Sequence, residues 1–172
     1  MLSLSLLFAF LPSIPNQPPP VLTPPLMKTP RAVSGQRRVL TPSDALRRGM
    51  VKLAPQEAVM KAADAAPRGV YGVFEMEVSR AEQVGPNFFL NSEKDYRDQR
   101  NLSIAIGPHA RDALLKQLGA DLTSALMGKT IRVVGYAKRI KIGFTVRGRF
   151  TDKYYYQTHV PIGDARQIEI VG

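Results

Sequence analysis

From Arg68 onward the chain alternates, and that alternation limits its fold more than any other feature. Val70, Gly72, Phe74, Met76 and Val78 are interleaved with Tyr71, Val73, Glu75, Glu77 and Ser79. A period of two places one set on a buried face and predicts a strand. Gly85-Pro86-Asn87 signals a turn, Phe88 and Leu90 resume the pattern, and Leu102, Ile104 and Ile106 form a third strand ending at Gly107-Pro108. The period then changes. Ala110, Leu114, Leu115 and Leu118 make one stripe at helical spacing, with Arg111, Asp112, Lys116 and Gln117 on the wet side, and Gly119 closes the helix. A short turn over 121–127 leads into a long fourth strand. Its apolar residues occupy odd positions at Ile131, Val133, Gly135 and Ala137 and even ones at Ile140, Ile142, Phe144 and Val146. That slip near Lys138-Arg139 predicts a β-bulge. Arg147-Gly148-Arg149 reads as a hairpin tip. Phe150, Tyr154, Tyr156, Thr158 and Val160 read as the returning fifth strand, and 167–171 as a last short one.

Three strands, a helix and two strands is the order of the OB-fold. The expected class is therefore mainly β: a five-stranded OB-like Greek-key barrel over 68–172, with one helix between strands 3 and 4. Gly72 and Gly135 suit points where a small barrel bends sharply.

The rest of the chain is of another kind. Segment 12–30 holds eight of the fourteen prolines. Proline fixes φ and lacks an amide donor, so this stretch reads as an extended linker. Before it, MLSLSLLFAFL is too short to span a bilayer, which needs roughly 20 residues. Its length suits the apolar centre of a secretory signal, but no Lys or Arg precedes it and no A-x-A site follows. Residues 1–39 are thus read as a hydrophobic N-terminus and a Pro-rich linker, with export (periplasmic or secreted) expected over a cytoplasmic location. Residues 40–67 hold two small helices, one opened by Thr41-Pro42-Ser43-Asp44 and the other by Ala54-Pro55-Gln56-Glu57.

Composition narrows the chemistry. With no cysteine there is no disulfide, thiolate metal site or cysteine nucleophile. His109 and His159 are the only histidines, which excludes a histidine-rich metal site. No nucleophile elbow, Gly-rich phosphate cradle or Asp-Gly-Asp-Thr pattern is present. No cofactor, metal site or enzymatic activity is expected. The net charge of +10 favours an anionic partner.

FFLNSEKDYRDQRNLSIAI, GKTIRVVGYAK and YQTHVPIGDARQIEIV resemble the nucleic-acid-binding-type OB domains of bacterial exported or DNA-processing proteins. The resemblance covers the final two-thirds of the chain. It is more specific for fold than for function. It weakens over 140–153, where the fourth and fifth strands look unusually long.

That departure is also where charge is densest. Lys129, Arg132, Lys138, Arg139, Lys141, Arg147, Arg149 and Lys153 are opposed only by Asp152, and Tyr136, Phe144, Phe150 and Tyr154-Tyr155-Tyr156 interleave with them. Single-stranded nucleic acid takes cations for its phosphates and flat rings for its bases. The candidate binding residues are Arg132, Lys138, Arg139, Lys141, Arg147 and Arg149 for phosphates. Tyr136 and Tyr155, on the opposite phase from the core, are the stacking candidates. The phase places Phe144, Phe150, Tyr154 and Tyr156 in the core, and the cations then make equally good sense as a solvated face or edge protection. Between strands, NSEKDYRDQRN reads as a solvated hairpin tip whose acids pair with Lys94, Arg97 and Arg100, while Tyr96 and Arg97 reach toward a base and a phosphate. The expected function is non-enzymatic binding of nucleic acid, preferably single-stranded and with little sequence preference. The alternative is an exported structural or protein-interaction module whose basic surface meets an acidic protein or the envelope.

Overall fold

The computed structural model describes residues 39–119 and 121–171. The apolar N-terminal run and the proline-rich linker lie outside the described residues. In chain order the elements are α1 (Pro42–Arg47), β1 (Lys52–Leu53), α2 (Pro55–Asp64), β2 (Val70–Glu77), β3 (Arg80–Val84), β4 (Asn87–Asn91), β5 (Leu102–Ile106), α3 (Pro108–Leu118), α4 (Leu122–Leu126), β6 (Thr130–Val146), β7 (Arg149–Ile162) and β8 (Ile168–Ile170).

These eight strands reduce to five barrel strands. β2 pairs antiparallel with β6, β6 with β7, and β7 runs parallel to β5; β5 pairs antiparallel with β4, and β4 with β3. The ring closes because β2 and β3 are one bent strand. Val78 still bonds toward β6, donating its N–H to the Lys129 carbonyl, whereas Ser79 donates to the Asn91 carbonyl beside β4. One residue thus hands the strand from one neighbour to the other. This is the OB-like order, with β1 and β8 added along β2 and β6.

The barrel interior holds Phe74, Met76, Val78, Leu90, Leu102, Ile104, Ile106, Ile131, Val133 and Val160, all buried, which matches the alternating positions of the sequence. Gly135 faces them. A Cβ there would stand 3.0 Å from Val160 Cγ1, so Val160 would have to shift to admit a side chain at this position. α3 and α4 add Ala110, Leu114, Leu122 and Leu126 to the same core.

Both small helices dock. Thr41 Oγ1 accepts the Asp44 N–H of α1 at 3.1 Å, the expected cap. α1 covers the outer face of the β2–β6 pair, where Ala45 packs with Val73 and Val134. Ser43 Oγ ties it to β8 by donating to Glu169 Oε2 at 2.6 Å. α2 sends Ala58 and Ala62, both fully buried, into the main core.

Two expectations change. The register of β6 against β7 is unbroken from Lys138 to Gly143, and the irregularity lies between Gly143 and Thr145. There Phe144 on β6 is matched by Thr151, Asp152 and Lys153 on β7. The apparent phase slip near Lys138-Arg139 is a change of which face carries apolar residues: the odd face continues through Arg139 and Lys141, while Ile140 and Ile142 lie on the opposite face across from Gln157 and Tyr155. β3 is the other addition, since RAEQV carries too little apolar alternation to announce a strand.

Candidate nucleic-acid interface

β6 parts from β2 after Ala137, and β7 has β5 beside it only from Thr158. From there to the tip at Gly148, the two strands pair only with each other. Residues 139–146 alone extend roughly 25 Å at ordinary strand rise. The long fourth and fifth strands of the sequence are therefore a ribbon projecting from the barrel.

Residues directly opposite in an antiparallel pair share a face. Arg139 stands opposite Thr158, Lys141 opposite Tyr156 and Gly143 opposite Tyr154. This face continues the barrel interior, so its residues are core at the root and solvent-facing beyond it. Thr158 is 4% exposed, Tyr156 38% and Tyr154 50%. Both tyrosines were expected in the core, and both are outside it. The apolar phase is continuous along the strand, but the layer that would bury it stops.

Each cation on this face reaches diagonally over a ring. The Arg139 guanidinium carbon is 3.8 Å from the centroid of Tyr156, and Lys141 Nζ is 3.9 Å from that of Tyr154. The two tyrosine rings meet edge to face at 5.6 Å. At exposed sites a cation over a ring contributes about 0.5–1 kcal/mol. The arrangement fixes two long side chains and two rings without neutralising any charge.

The opposite face carries Lys138, Ile140 and Ile142 across from His159, Gln157 and Tyr155. The Phe144 ring, 46% exposed, lies 5.4 Å from Tyr155. At the root of this face the 92–101 loop comes alongside. Gln157 Nε2 donates to the Tyr96 carbonyl at 3.3 Å and to Tyr155 Oη at 2.9 Å, while its Oε1 is 2.7 Å from His159 Nε2. Burial pushes the His159 imidazole down to about 4. Burial also raises the Tyr155 hydroxyl.

The loop itself is built on one asparagine. Asn101 Nδ2 donates to Asn91 Oδ1 at 3.0 Å, to Ser103 Oγ at 2.9 Å and to the Tyr96 carbonyl at 3.3 Å; its Oδ1 accepts the Glu93 N–H at 3.1 Å. Two of the three expected pairings form inside the loop, Arg97 with Asp95 at 3.0 Å and Arg100 with Asp98 at 2.8 Å, whereas Lys94 makes no ion pair among the described residues. The guanidinium of Arg100 bonds the Asp98 carboxyl and holds it down at about 2. Tyr96 lies between two cations, with Arg80 and Arg97 each 5.7 Å from its centroid.

The remaining candidates fall elsewhere. Arg132 Nε donates to Glu75 Oε2 at 2.6 Å, and Lys52 Nζ donates to Glu75 Oε1 at 2.6 Å; the Lys52 bond is the leading cause of that carboxyl's lowered pKa. Arg132 is thus engaged on the barrel wall, away from the ribbon. Tyr136, 51% exposed, lies on the outer barrel face, 4.8 Å from Tyr71 and 5.9 Å from Lys138 Nζ. It shares a face with Tyr155 but stands six residues further down the ribbon, roughly 20 Å away. Arg147 and Arg149 are exposed at the tip. Among the described residues, Lys138, Arg139, Lys141, Arg147, Arg149 and Lys153 make no ion pair, in contrast to Arg80, Arg97, Arg100 and Arg132. The described residues also contain no cluster of three acids or histidines able to hold a metal, and no helix long and apolar enough to cross a membrane.

Fold and surface together define an OB-like barrel with a projecting basic and aromatic ribbon. No family model matches the chain, and no curated protein matches it. Among solved structures it is similar to an aspartyl-tRNA synthetase from Leishmania major Friedlin, with TM-score 0.42 and 9% identity over 72% of this chain and 21% of that one. It is also similar to the aspartyl tRNA synthetase from Entamoeba histolytica, with TM-score 0.36 and 14% identity over 90% of this chain and 28% of that one. The chain therefore spans about a fifth to somewhat over a quarter of the length of those synthetases.

Proposed function

We propose that this chain is a non-enzymatic binder of single-stranded nucleic acid, with little sequence preference, and that the strand runs along the Arg139–Tyr156–Lys141–Tyr154 face of the ribbon. The observation that carries this reading is the alternation of unpaired cations with exposed rings on one face beyond the barrel rim. Cations without acidic partners attract phosphates. Exposed rings offer a surface that any base can use, worth about 1–3 kcal/mol per stacked base.

The spacing selects the form of nucleic acid. The Tyr154 and Tyr156 ring centroids are 5.6 Å apart and the rings stand nearly perpendicular. Stacked bases follow each other at about 3.4 Å per strand. Two neighbouring bases each lying on one tyrosine must therefore be unstacked, which an intact duplex forbids. Stacking uses a face that every base has, which supports low sequence preference.

An acidic protein would also be drawn to these cations, but it would have no need of the rings. Binding of a labelled single strand to the full chain, compared with Tyr154→Ala/Tyr156→Ala, separates the two. Loss of affinity supports the proposal. Undiminished binding would move the interaction to charge alone.

A further inference from the structure

Aromatic rings occupy both faces of the ribbon at the same height. On one face are Tyr154 and Tyr156 with Arg139 and Lys141. On the other, the Phe144 and Tyr155 ring centroids are 5.4 Å apart. Phe144 has no polar group to explain its exposure, and it stands on a two-stranded ribbon that neither sheet flanks. The tip between the faces, Arg147-Gly148-Arg149, ends in two exposed cations.

From this we infer that the ribbon is a wedge for a junction between paired and unpaired nucleic acid. The two strands that part at a fork pass on opposite faces, one over Tyr154 and Tyr156, the other over Phe144 and Tyr155, while Arg147 and Arg149 meet the phosphates where they diverge. A two-stranded ribbon is thin enough to enter between strands, and each face supplies a ring to replace the base-stacking lost there. The inference rests on the single-strand reading but goes beyond it, because that reading uses one face only.

The test is binding of the full chain to three labelled DNAs of equal length: a single strand, a blunt duplex, and a duplex with two unpaired arms that carries 2-aminopurine in the first base pair. One further stacked base corresponds to roughly a 5- to 150-fold gain. The wedge predicts that the forked duplex binds at least about tenfold more tightly than either other form, with a rise in 2-aminopurine fluorescence as that pair unstacks. Phe144→Ala brings the forked duplex down to the affinity of the single strand, whereas Tyr154→Ala weakens both. Equal affinity for fork and single strand, or a fork preference that survives Phe144→Ala, would overturn the wedge and leave single-strand binding standing. Absence of binding to all three forms would overturn both.

Discussion

Arg139 and Tyr156 are not directly paired across the ribbon. Thr158 is opposite Arg139, and the guanidinium reaches one step toward the tip to stand 3.8 Å over the Tyr156 ring. Lys141 repeats the step onto Tyr154. The diagonal turns an ordinary antiparallel pair into a ladder in which each ring has one face held by a cation. It also keeps the positive charge in place along the path proposed for the phosphates.

Replacing either ring should therefore cost binding and spare the fold. Tyr154→Ala and Tyr156→Ala are each expected to weaken single-strand binding by about 1–3 kcal/mol, while the phenylalanine variants keep most of the affinity because stacking needs the ring and not the hydroxyl. Fluorescence anisotropy gives the affinities, and unchanged thermal unfolding shows that the loss is local.

Asn101 should behave in the opposite way. Its amide bonds to Asn91, Ser103 and the Tyr96 carbonyl in a buried setting, and its carbonyl accepts the Glu93 N–H. Asn101→Ala leaves buried partners unmatched, which typically costs about 1–3 kcal/mol. Urea unfolding is expected to show that loss, together with faster hydrogen exchange across 92–101.

His159 gives the fold a pH dependence whose sign is set by its burial. The imidazole takes a proton near pH 6.5 when unfolded and resists until about 4 when folded. Stability is thus complete above about 6.5, falls as the pH drops through that window, and has lost roughly 3 kcal/mol by about 4. Asp98 and Asp164, held at about 2 by Arg100 and Arg166, act only below the ordinary carboxylate range. The urea midpoint measured at pH 7, 5.5 and 4.5 should decline in the natural chain and decline less in His159→Gln.

The docking of α1 and α2 makes the segment before Arg68 part of the folded unit. A chain beginning at Arg68 would lose Ala58 and Ala62 from the main core and uncover Val73 and Val134 on the outer face. It is expected to unfold at markedly lower temperature or to aggregate. A chain beginning at residue 39 keeps both helices and should melt higher than one beginning at Arg68 in calorimetry.

Much of the fold is written in local pattern. Alternation marks β2, β4, β5 and most of β6 and β7, a change of period marks α3, and Thr41-Pro42 and Pro55-Gln56-Glu57 mark the small helices. Each of these signals comes from contacts within a few residues. The unread parts depend on contacts distant in sequence. β3 is a strand because β4 offers it partners, and Arg80 to Val84 show little of their own preference for one. Val134 is buried because α1, some ninety residues earlier, lies over it.

The site shows the same division. Its density of cations and rings is plain in the sequence, but the face each ring occupies is not. Tyr154 and Tyr156 keep the phase of Thr158 and Val160, and nothing local indicates that the barrel ends between them. Tyr155, on the other phase, is half-buried against Gln157 and the 92–101 loop. That loop, with its acids paired to its own arginines, presents Tyr96 between Arg80 and Arg97 beside the ribbon root.

The central claim is tested most directly by anisotropy of the full chain with a labelled single strand across a range of salt concentrations, repeated for Arg139→Ala/Lys141→Ala and Tyr154→Ala/Tyr156→Ala. The account predicts a linear fall of log affinity with log salt, a slope reduced by about 0.7 for each cation removed, and a loss of affinity without change of slope when the rings are removed. No binding at low salt, or binding indifferent to both pairs of substitutions, would contradict it.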